Sequence, residues 1–173
     1  LVATDRIVTW ALGAARGDVA ACLVSKQLNY DASRGADGSL SFTGDSQGNG
    51  VSLDWCNTLT TGRETHGSAG SSTSRDDGAA SSAGMVAYLE IADCDSGTPT
   101  VIIQESSDNG SGDAWATVLS FTAVGYASAP TAERITVSGA VERYLRVTTT
   151  GTFSNLDFCV STRRGTSVDD VAF

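Results

Sequence analysis

The stretch AERITVSGAVERYLRVTTTGTFSNLDFCVSTRR, residues 132–164, decides the fold class of this chain. Three runs rich in Val, Ile, Thr, Tyr and Phe follow one another, separated by Ser138-Gly139 and Thr150-Gly151. β-Branched and aromatic residues favour extended backbone, and glycine adopts the backbone angles that tight turns require. The stretch therefore predicts antiparallel strands joined by short turns.

Strand-like runs continue on both sides of this stretch. They lie at 84–93, 99–106 and 114–121 before it, and at SVDDVAF (167–173) after it. Strands of this length with turn residues between them predict an antiparallel β-sandwich over residues 84–173.

The N-terminal part also predicts strands, which lie at 5–12, 17–30, 38–45 and 50–59. In the third of these, Leu40 and Phe42 alternate with Ser and Thr, the period of a strand with one apolar face. In the fourth, Val51, Leu53 and Trp55 face one way, and Ser52, Asp54 and Cys56 face the other. We expect residues 1–66 to form an antiparallel β-domain, so the whole chain is predicted to be all-β.

Between the two predicted units lies GSAGSSTSRDDGAASSAG, residues 67–84, which contains no large apolar side chain. Such a segment buries too little apolar surface to offset the entropy lost when it becomes ordered. We therefore interpret residues 67–83 as a Gly/Ser-rich linker, or as an arm that reaches a neighbouring molecule.

Charge and composition exclude several classes of function. The net charge of the 173 residues is −9, so tight binding of nucleic acid through its phosphates is not expected. No apolar run has the length of a membrane span, and we expect no membrane association. Residues 1–17 lack a signal-peptide pattern and begin with Leu1, which predicts processing or further sequence upstream.

The four cysteines, Cys22, Cys56, Cys94 and Cys159, form no CxxC pair, and the sequence has one histidine. A zinc site needs about four such ligands at close spacing, so none is predicted. Disulfides 22–56 and 94–159 are one of three pairings that the sequence leaves open.

The segment QESSDNGSGDAW, residues 104–115, resembles a calcium loop at first sight. From Asp108 onward, however, glycines occupy the third and fifth positions, where an EF-hand needs oxygen ligands. Asn109-Gly110 is a favoured reversal pair, so we predict a hairpin turn with Trp115 packed back on the sandwich. A weaker calcium site of another type is the alternative.

Catalytic constellations are absent from the sequence. His66 is the one candidate base of a Ser-His-Asp arrangement, and its place beside the Gly/Ser segment predicts a solvated loop residue. The carboxylate pairs Glu105 with Asp108 and Asp54 with Glu64 could be imagined as a glycosidase pair, but acids beside turns are usually solvated. We expect no enzyme activity, no catalytic or cofactor-binding residues, no cofactor and no metal.

Aromatic residues offer a further candidate, a platform on which sugars stack. They are Trp10, Trp55, Trp115, Tyr30, Tyr88, Tyr126 and Tyr144. The favoured alternative is that they pack in ordinary sandwich cores. Arg143 and Arg146 should lie on opposite faces of one strand, with Tyr144 on the side of Arg146. We also predict a surface ion pair between Arg146 and an acid at a turn.

Two stretches together resemble a known family. GDVAACLVSKQLNYDASRGADGSLSFTGDSQGNGVSLDWCNTLTTGRETH (17–66) and the half that runs from VIIQESSDNGSGDAWATV to SNLDFCVSTRR (101–164) are similar to major tail, or tail tube, proteins of tailed bacteriophages. The resemblance implies a partial tube-type barrel in residues 1–66 and an immunoglobulin-like or galactose-binding-like sandwich outside the tube. Residues 1–66 are short for a full tube domain.

The resemblance implies a virion structural protein that is made in the host cytoplasm and assembles with itself into stacked rings, commonly hexamers. The tube would house a tape-measure protein and pass DNA without binding it specifically, which suits an acidic wall. Open sheet edges could be completed by a neighbouring copy. The alternative is a virion decoration or adhesion protein whose sandwich binds host surface glycans, and a secreted hydrolase is the third class.

Overall fold

The computed structural model describes residues 6–167, and over this range the chain is all-β, as predicted, with two antiparallel sheets. The strands are β1 (Arg6–Ala11), β2 (Val19–Arg34), β3 (Leu40–Gly48), β4 (Asp54–Thr58), β5 (Glu64–His66), β6 (Gly70–Ser71), β7 (Arg75–Asp76), β8 (Met85–Gly97), β9 (Thr100–Ser106), β10 (Ala116–Ser120), β11 (Thr131–Val137), β12 (Tyr144–Thr150) and β13 (Phe153–Arg164). The strand predicted at SVDDVAF lies outside the described residues from position 168 onward.

Sheet A has the strand order β1-β2-β4-β13-β8-β11, with β3 paired to β2 and β5 paired to β13. Sheet B has the order β10-β9-β12-β6, with β7 also paired to β12. The described residues contain a single helical element, a 3₁₀ turn at Tyr126–Ser128, so none of their helices could span a bilayer.

The main core lies between the two sheets. Sheet A contributes Met85, Ala87, Leu89 and Ile91, which are alternate residues of β8, and sheet B contributes residues such as Ile103. The intervening Val86 and Tyr88 are also buried, in a second cluster on the other face of sheet A. Because both faces of β8 are covered, its sequence is a nearly continuous apolar run instead of an alternating one.

The predicted units 1–66 and 84–173 share sheet A. Near the C-terminus, β13 pairs with β8 along one side, and with β4 and β5 along the other. The strands from the N-terminal part therefore extend the sheet of the sandwich. Sheet A also curls, so that its two outer strands β1 and β11 line opposite walls of one cleft.

Residues 67–83, which the sequence predicted to be a linker or an arm, are held against the sandwich. Its short strands β6 and β7 both pair with β12, and Ser81 forms an isolated bridge with Val141. The side chain of Arg75 is buried and donates hydrogen bonds to the carbonyl oxygens of Asn57 and Thr58. Backbone pairing and one buried arginine order a segment that has no large apolar residue.

Candidate assembly surface

The second half of β2 and the whole of β3 form a hairpin that extends away from the rest of the fold. Its register pairs Ala32 with Phe42 and Arg34 with Leu40. Residues 31–50 are all exposed, and none of them belongs to either core cluster. At the turn, the Asp37 carboxylate accepts hydrogen bonds from the backbone N–H and the hydroxyl of Ser39, which lower its pKa.

The hairpin is amphipathic. Ala32, Arg34, Leu40 and Phe42 share one side, which we call the hairpin face, because directly paired residues of antiparallel strands point to the same side. Asp31, Ser33, Ser41, Thr43 and Asp45 lie on the other side. Leu40 is 58 % and Phe42 57 % exposed. An isolated two-stranded hairpin is marginally stable in water, so this one is suited to packing against a further surface.

A second exposed apolar surface lies at the base of the hairpin. The register places Trp10 of β1, Ala21 of β2 and Trp55 of β4 side by side. Trp10 is 72 % and Trp55 58 % exposed. We call this surface, with the adjoining Val8 and Leu53, the tryptophan face.

Sheet B explains why the tryptophan face is exposed. The sheet A strands in the inter-sheet core are β13, β8 and β11, and neither β1 nor β2 contributes to it. The alternation predicted for residues 50–59 is confirmed from residue 53 onward, because Asp54 and Cys56 are buried while Leu53 and Trp55 are exposed. It does not extend to Ser52, which is exposed. Here the polar side of the strand is the buried one.

Asp54 belongs to a buried polar network on the curled face of sheet A. Its carboxylate accepts hydrogen bonds from the Tyr88 hydroxyl and from Nε of Arg163 at 2.9 Å. Arg134 in turn donates to the Tyr88 hydroxyl at 3.1 Å. Burial and the contact with Asp54 raise the pKa of Tyr88 above its usual value. Asp54 thus ties three strands together.

His66 is not the solvated loop residue that we predicted, because it lies on β5 with its side chain 14 % exposed. Its Nδ1 lies 2.7 Å from the Thr149 hydroxyl, and its Nε2 lies 3.2 Å from the Ser72 hydroxyl. Burial lowers the pKa of His66, although the nearby Glu64 opposes the effect. These contacts join sheet A to the 67–83 segment.

The arrangement around His66 is not a catalytic triad. The Ser72 hydroxyl donates to Glu64, whose carboxylate lies 3.9 Å from Nε2 of His66. In a triad the carboxylate binds the Nδ1 side and the nucleophile binds the Nε2 side, whereas here both contact Nε2. Glu64 also pairs with Arg16 at 2.5 Å, whereas Asp54 pairs with Arg163.

The segment 104–115 forms the predicted hairpin connection, between β9 and β10. Asn109 and Gly110 both have positive φ, 65° and 80°, as a reversal pair requires. The Asp108 carboxylate accepts backbone hydrogen bonds from Ser111, Gly112 and Asp113, which organise the loop. Across residues 6–167, no group of three or more His, Cys, Asp or Glu could hold a metal ion.

Trp115 and Arg146 pack together beside this loop. The Arg146 guanidinium lies 4.4 Å from the centroid of the Trp115 ring and donates to the Gln104 side chain. The predicted ion pair between Arg146 and an acid is therefore replaced by a cation–π contact and an amide hydrogen bond. The acid that pairs with an arginine here is Asp76, with Arg143 at 2.6 Å.

All four cysteines are free thiols. Cys94 lies in the inter-sheet core, whereas Cys159 lies on the opposite side of sheet A, where it contacts Glu90, so a 94–159 disulfide cannot form. Cys22 and Cys56 are diagonal neighbours, because Ala20 pairs with Cys56. Their side chains are in hydrogen-bond contact, and they are not joined as a disulfide. The hydrogen bond between the two side chains lowers the pKa of Cys22. The same contact, together with burial, raises the pKa of Cys56.

The remaining aromatic residues do not complete one platform. Tyr88 is buried on the other side of sheet A, Tyr126 is exposed in the 3₁₀ turn, and Tyr144 contacts Arg143. The side chain of Tyr30 lies outside what the structure describes. Trp10 and Trp55 are the two members that share an exposed face.

One feature was missed by the sequence analysis, a cleft of about 790 Å³ between β1 and β11. Glu90 lines it, and one of its carboxylate oxygens is shielded from solvent without a hydrogen-bond partner among the described residues. Burial and the neighbouring Glu90 raise the pKa of Cys159 to about 12. An acid inside the apolar run of β8 was the signal that could have located this cleft.

No protein-family model, no curated protein and no solved structure matches this chain.

Proposed function

We propose that this protein is a non-enzymatic structural subunit that assembles with copies of itself into stacked rings, as in the tube of a phage tail. The observation that carries the proposal is the β2–β3 hairpin, whose apolar face is exposed within one chain. Extended two-stranded elements of this kind gain stability by packing against a neighbour.

The hydrophobic gain from such packing is substantial. Burying a Leu or Phe side chain completely is worth about 1.5–3 kcal/mol. Leu40 and Phe42 each retain more than half of their exposure, so docking would add roughly 1–2 kcal/mol from each residue. Every subunit of a ring would pack its own hairpin on one neighbour and receive the hairpin of the other neighbour.

The opposite side of the hairpin suits the wall of a channel. It carries Asp31 and Asp45 among neutral polar residues, and the whole chain has a net charge of −9. A wall of this charge repels phosphates, so DNA could pass without being held. The hexameric ring, the tape-measure partner and the virion location belong to the proposal through the resemblance to tail tube proteins.

Mass photometry and negative-stain electron microscopy of concentrated protein test the proposal. Wild-type protein should form rings or tubes of uniform width, and Phe42→Thr should leave monomers. The matched control is Ser41→Thr, on the polar side of the same strand, which should assemble normally. Monodisperse wild-type monomers at all concentrations would refute the proposal.

A virion decoration or adhesion protein that binds glycans is the second candidate. The observation that favours it is the pair of exposed indoles, Trp10 and Trp55, on one side of sheet A. Apolar faces of sugar rings stack on such surfaces. A glycan array separates the candidates, because a lectin would stay monomeric and be released from its glycan by free sugar.

A further inference from the structure

We infer that the tryptophan face is the surface that receives the hairpin face of a second copy. The inference rests on the proposed function and names the partner of the hairpin. Both surfaces are exposed, and both are apolar apart from Arg34 on the hairpin face. Both are built partly on β2, which contributes Ala21 to the tryptophan face and Ala32 to the hairpin face.

The two surfaces of one chain cannot reach each other. Ala21 and Ala32 are eleven positions apart on the same continuous strand. At about 3.3 Å per residue, these positions lie roughly 36 Å apart. A contact between the hairpin face and the tryptophan face must therefore join two molecules.

The contact joins different surfaces, and this decides the kind of assembly. Each copy offers one hairpin face and one tryptophan face, so a head-to-tail contact leaves one of each surface open after two copies have joined. Contacts of this kind continue until the rotation closes a ring, or they generate a filament. Where two copies do not exchange hairpins reciprocally, ring closure therefore follows from the placement of the two surfaces.

The spacing of the indoles fits an inserted aromatic ring. Trp10 and Trp55 flank Ala21, the smallest side chain of the three, so a slot lies between them. The strands that carry the indoles are separated by β2, which places them about 10 Å apart. A ring stacked between two others needs about 9–14 Å between the outer ring centroids, so the Phe42 ring has the size to enter.

Complementary variants test the inference. The face variant carries Trp10→Thr and Trp55→Thr, and the hairpin variant carries Leu40→Thr and Phe42→Thr, since threonine preserves strand propensity. Each variant alone should be monomeric by mass photometry. An equimolar mixture should form dimers and no larger species. Each pair has one intact hairpin face and one intact tryptophan face, and both are used in the contact that forms the dimer.

A control and a second measurement guard against misfolded variants. Tyr126→Thr removes another exposed aromatic residue outside both faces, and this variant should assemble like wild type. In wild-type protein, acrylamide quenching of tryptophan fluorescence should fall at least twofold between dilute and assembled samples, because Trp10 and Trp55 become shielded.

The outcomes separate this inference from the proposed function. Assembly of the face variant, or unchanged quenching in assembled wild type, would overturn the tryptophan face as the receiving surface and leave the proposed function standing. Wild-type protein that stays monomeric would overturn both. Loss of glycan retention in a face variant that still assembles would assign the indoles to the second candidate function.

Discussion

Replacing Arg75 with Met should destabilise the fold strongly, because this arginine is the buried anchor of the 67–83 segment. Its guanidinium donates to both carboxylate oxygens of Asp77 at 2.6 and 3.1 Å, and to the Thr162 hydroxyl at 2.8 Å. It also donates to the carbonyl oxygens of Asn57 and Thr58. Methionine keeps the apolar stem and removes all of these donors.

The expected loss in unfolding free energy is about 3–5 kcal/mol, the range for removing one partner of a buried ion pair. The loss should fall near the lower end, because Arg164 still contacts Asp77 at 2.7 Å in the variant. The matched control is Arg143→Met, which breaks the ion pair of Arg143 with Asp76. The side chain of Arg143 is 44 % exposed and that of Asp76 is 42 % exposed. Exposed pairs contribute little, so the control should unfold almost like wild type.

Urea unfolding followed by tryptophan fluorescence measures the difference. All samples need the same protein concentration, since association adds to apparent stability. Equal midpoints for Arg75→Met and Arg143→Met would refute the reasoning, because burial would then have no influence on the value of the pair.

The pH dependence of the same variant provides a second check. Burial alone would raise the pKa of Asp77, but hydrogen bonds and charge from Arg75 and Arg164 lower it below its usual value of 3.8. The Asp77 carboxylate therefore stabilises the folded state at pH values above 3.8. This contribution is lost as the pH falls through the lowered pKa of Asp77. Arg75→Met should flatten this acid loss relative to wild type.

Three further predictions concern a glycine, the histidine and the four cysteines. Gly110→Ala should lower the melting temperature more than Gly78→Ala. Both glycines have φ of +80°, but only at Gly110 would the new Cβ meet an indole, that of Trp115 at 2.5 Å. Equal shifts in melting temperature would contradict the packing of Trp115 on Gly110. Burial lowers the pKa of His66, so stability should fall as the pH drops below its usual value of 6.5, and His66→Gln should remove that part of the profile in urea titrations. Thiol titration in denaturant without reductant should find four free cysteines, and a lower count would contradict the free state of Cys22 and Cys56, whose side chains are in contact.

Much of the fold was predictable because strand formation leaves a local signal. Each run predicted as a strand within residues 6–167 overlaps one, and the Asn109-Gly110 reversal was identified from two residues. The order of the 67–83 segment was not predictable, because it leaves no local signal. Its order comes from backbone pairing with β12 and from the buried Arg75, and neither produces an apolar pattern.

The candidate surface was half predictable. The alternation around Leu40 and Phe42 indicated an apolar side of β3, and the alternation around Trp55 indicated two sides of β4. Nothing local revealed that Trp55 would be exposed while Asp54 became buried. That outcome depends on partners far away in sequence, because Asp54 meets Tyr88 and Arg163 on strands that fold against it.

The sequence by itself determined the all-β class, the positions of the strands and the two sides of each strand, because side chains alternate at every residue of extended backbone. The tertiary structure alone decided which sides are covered. Sheet B packs on β13, β8 and β11 and does not cover β1 and β2, so the tryptophan face and the hairpin face remain exposed. Burial of a sheet face is a property of the surface packed against it, and that surface comes from distant parts of the chain.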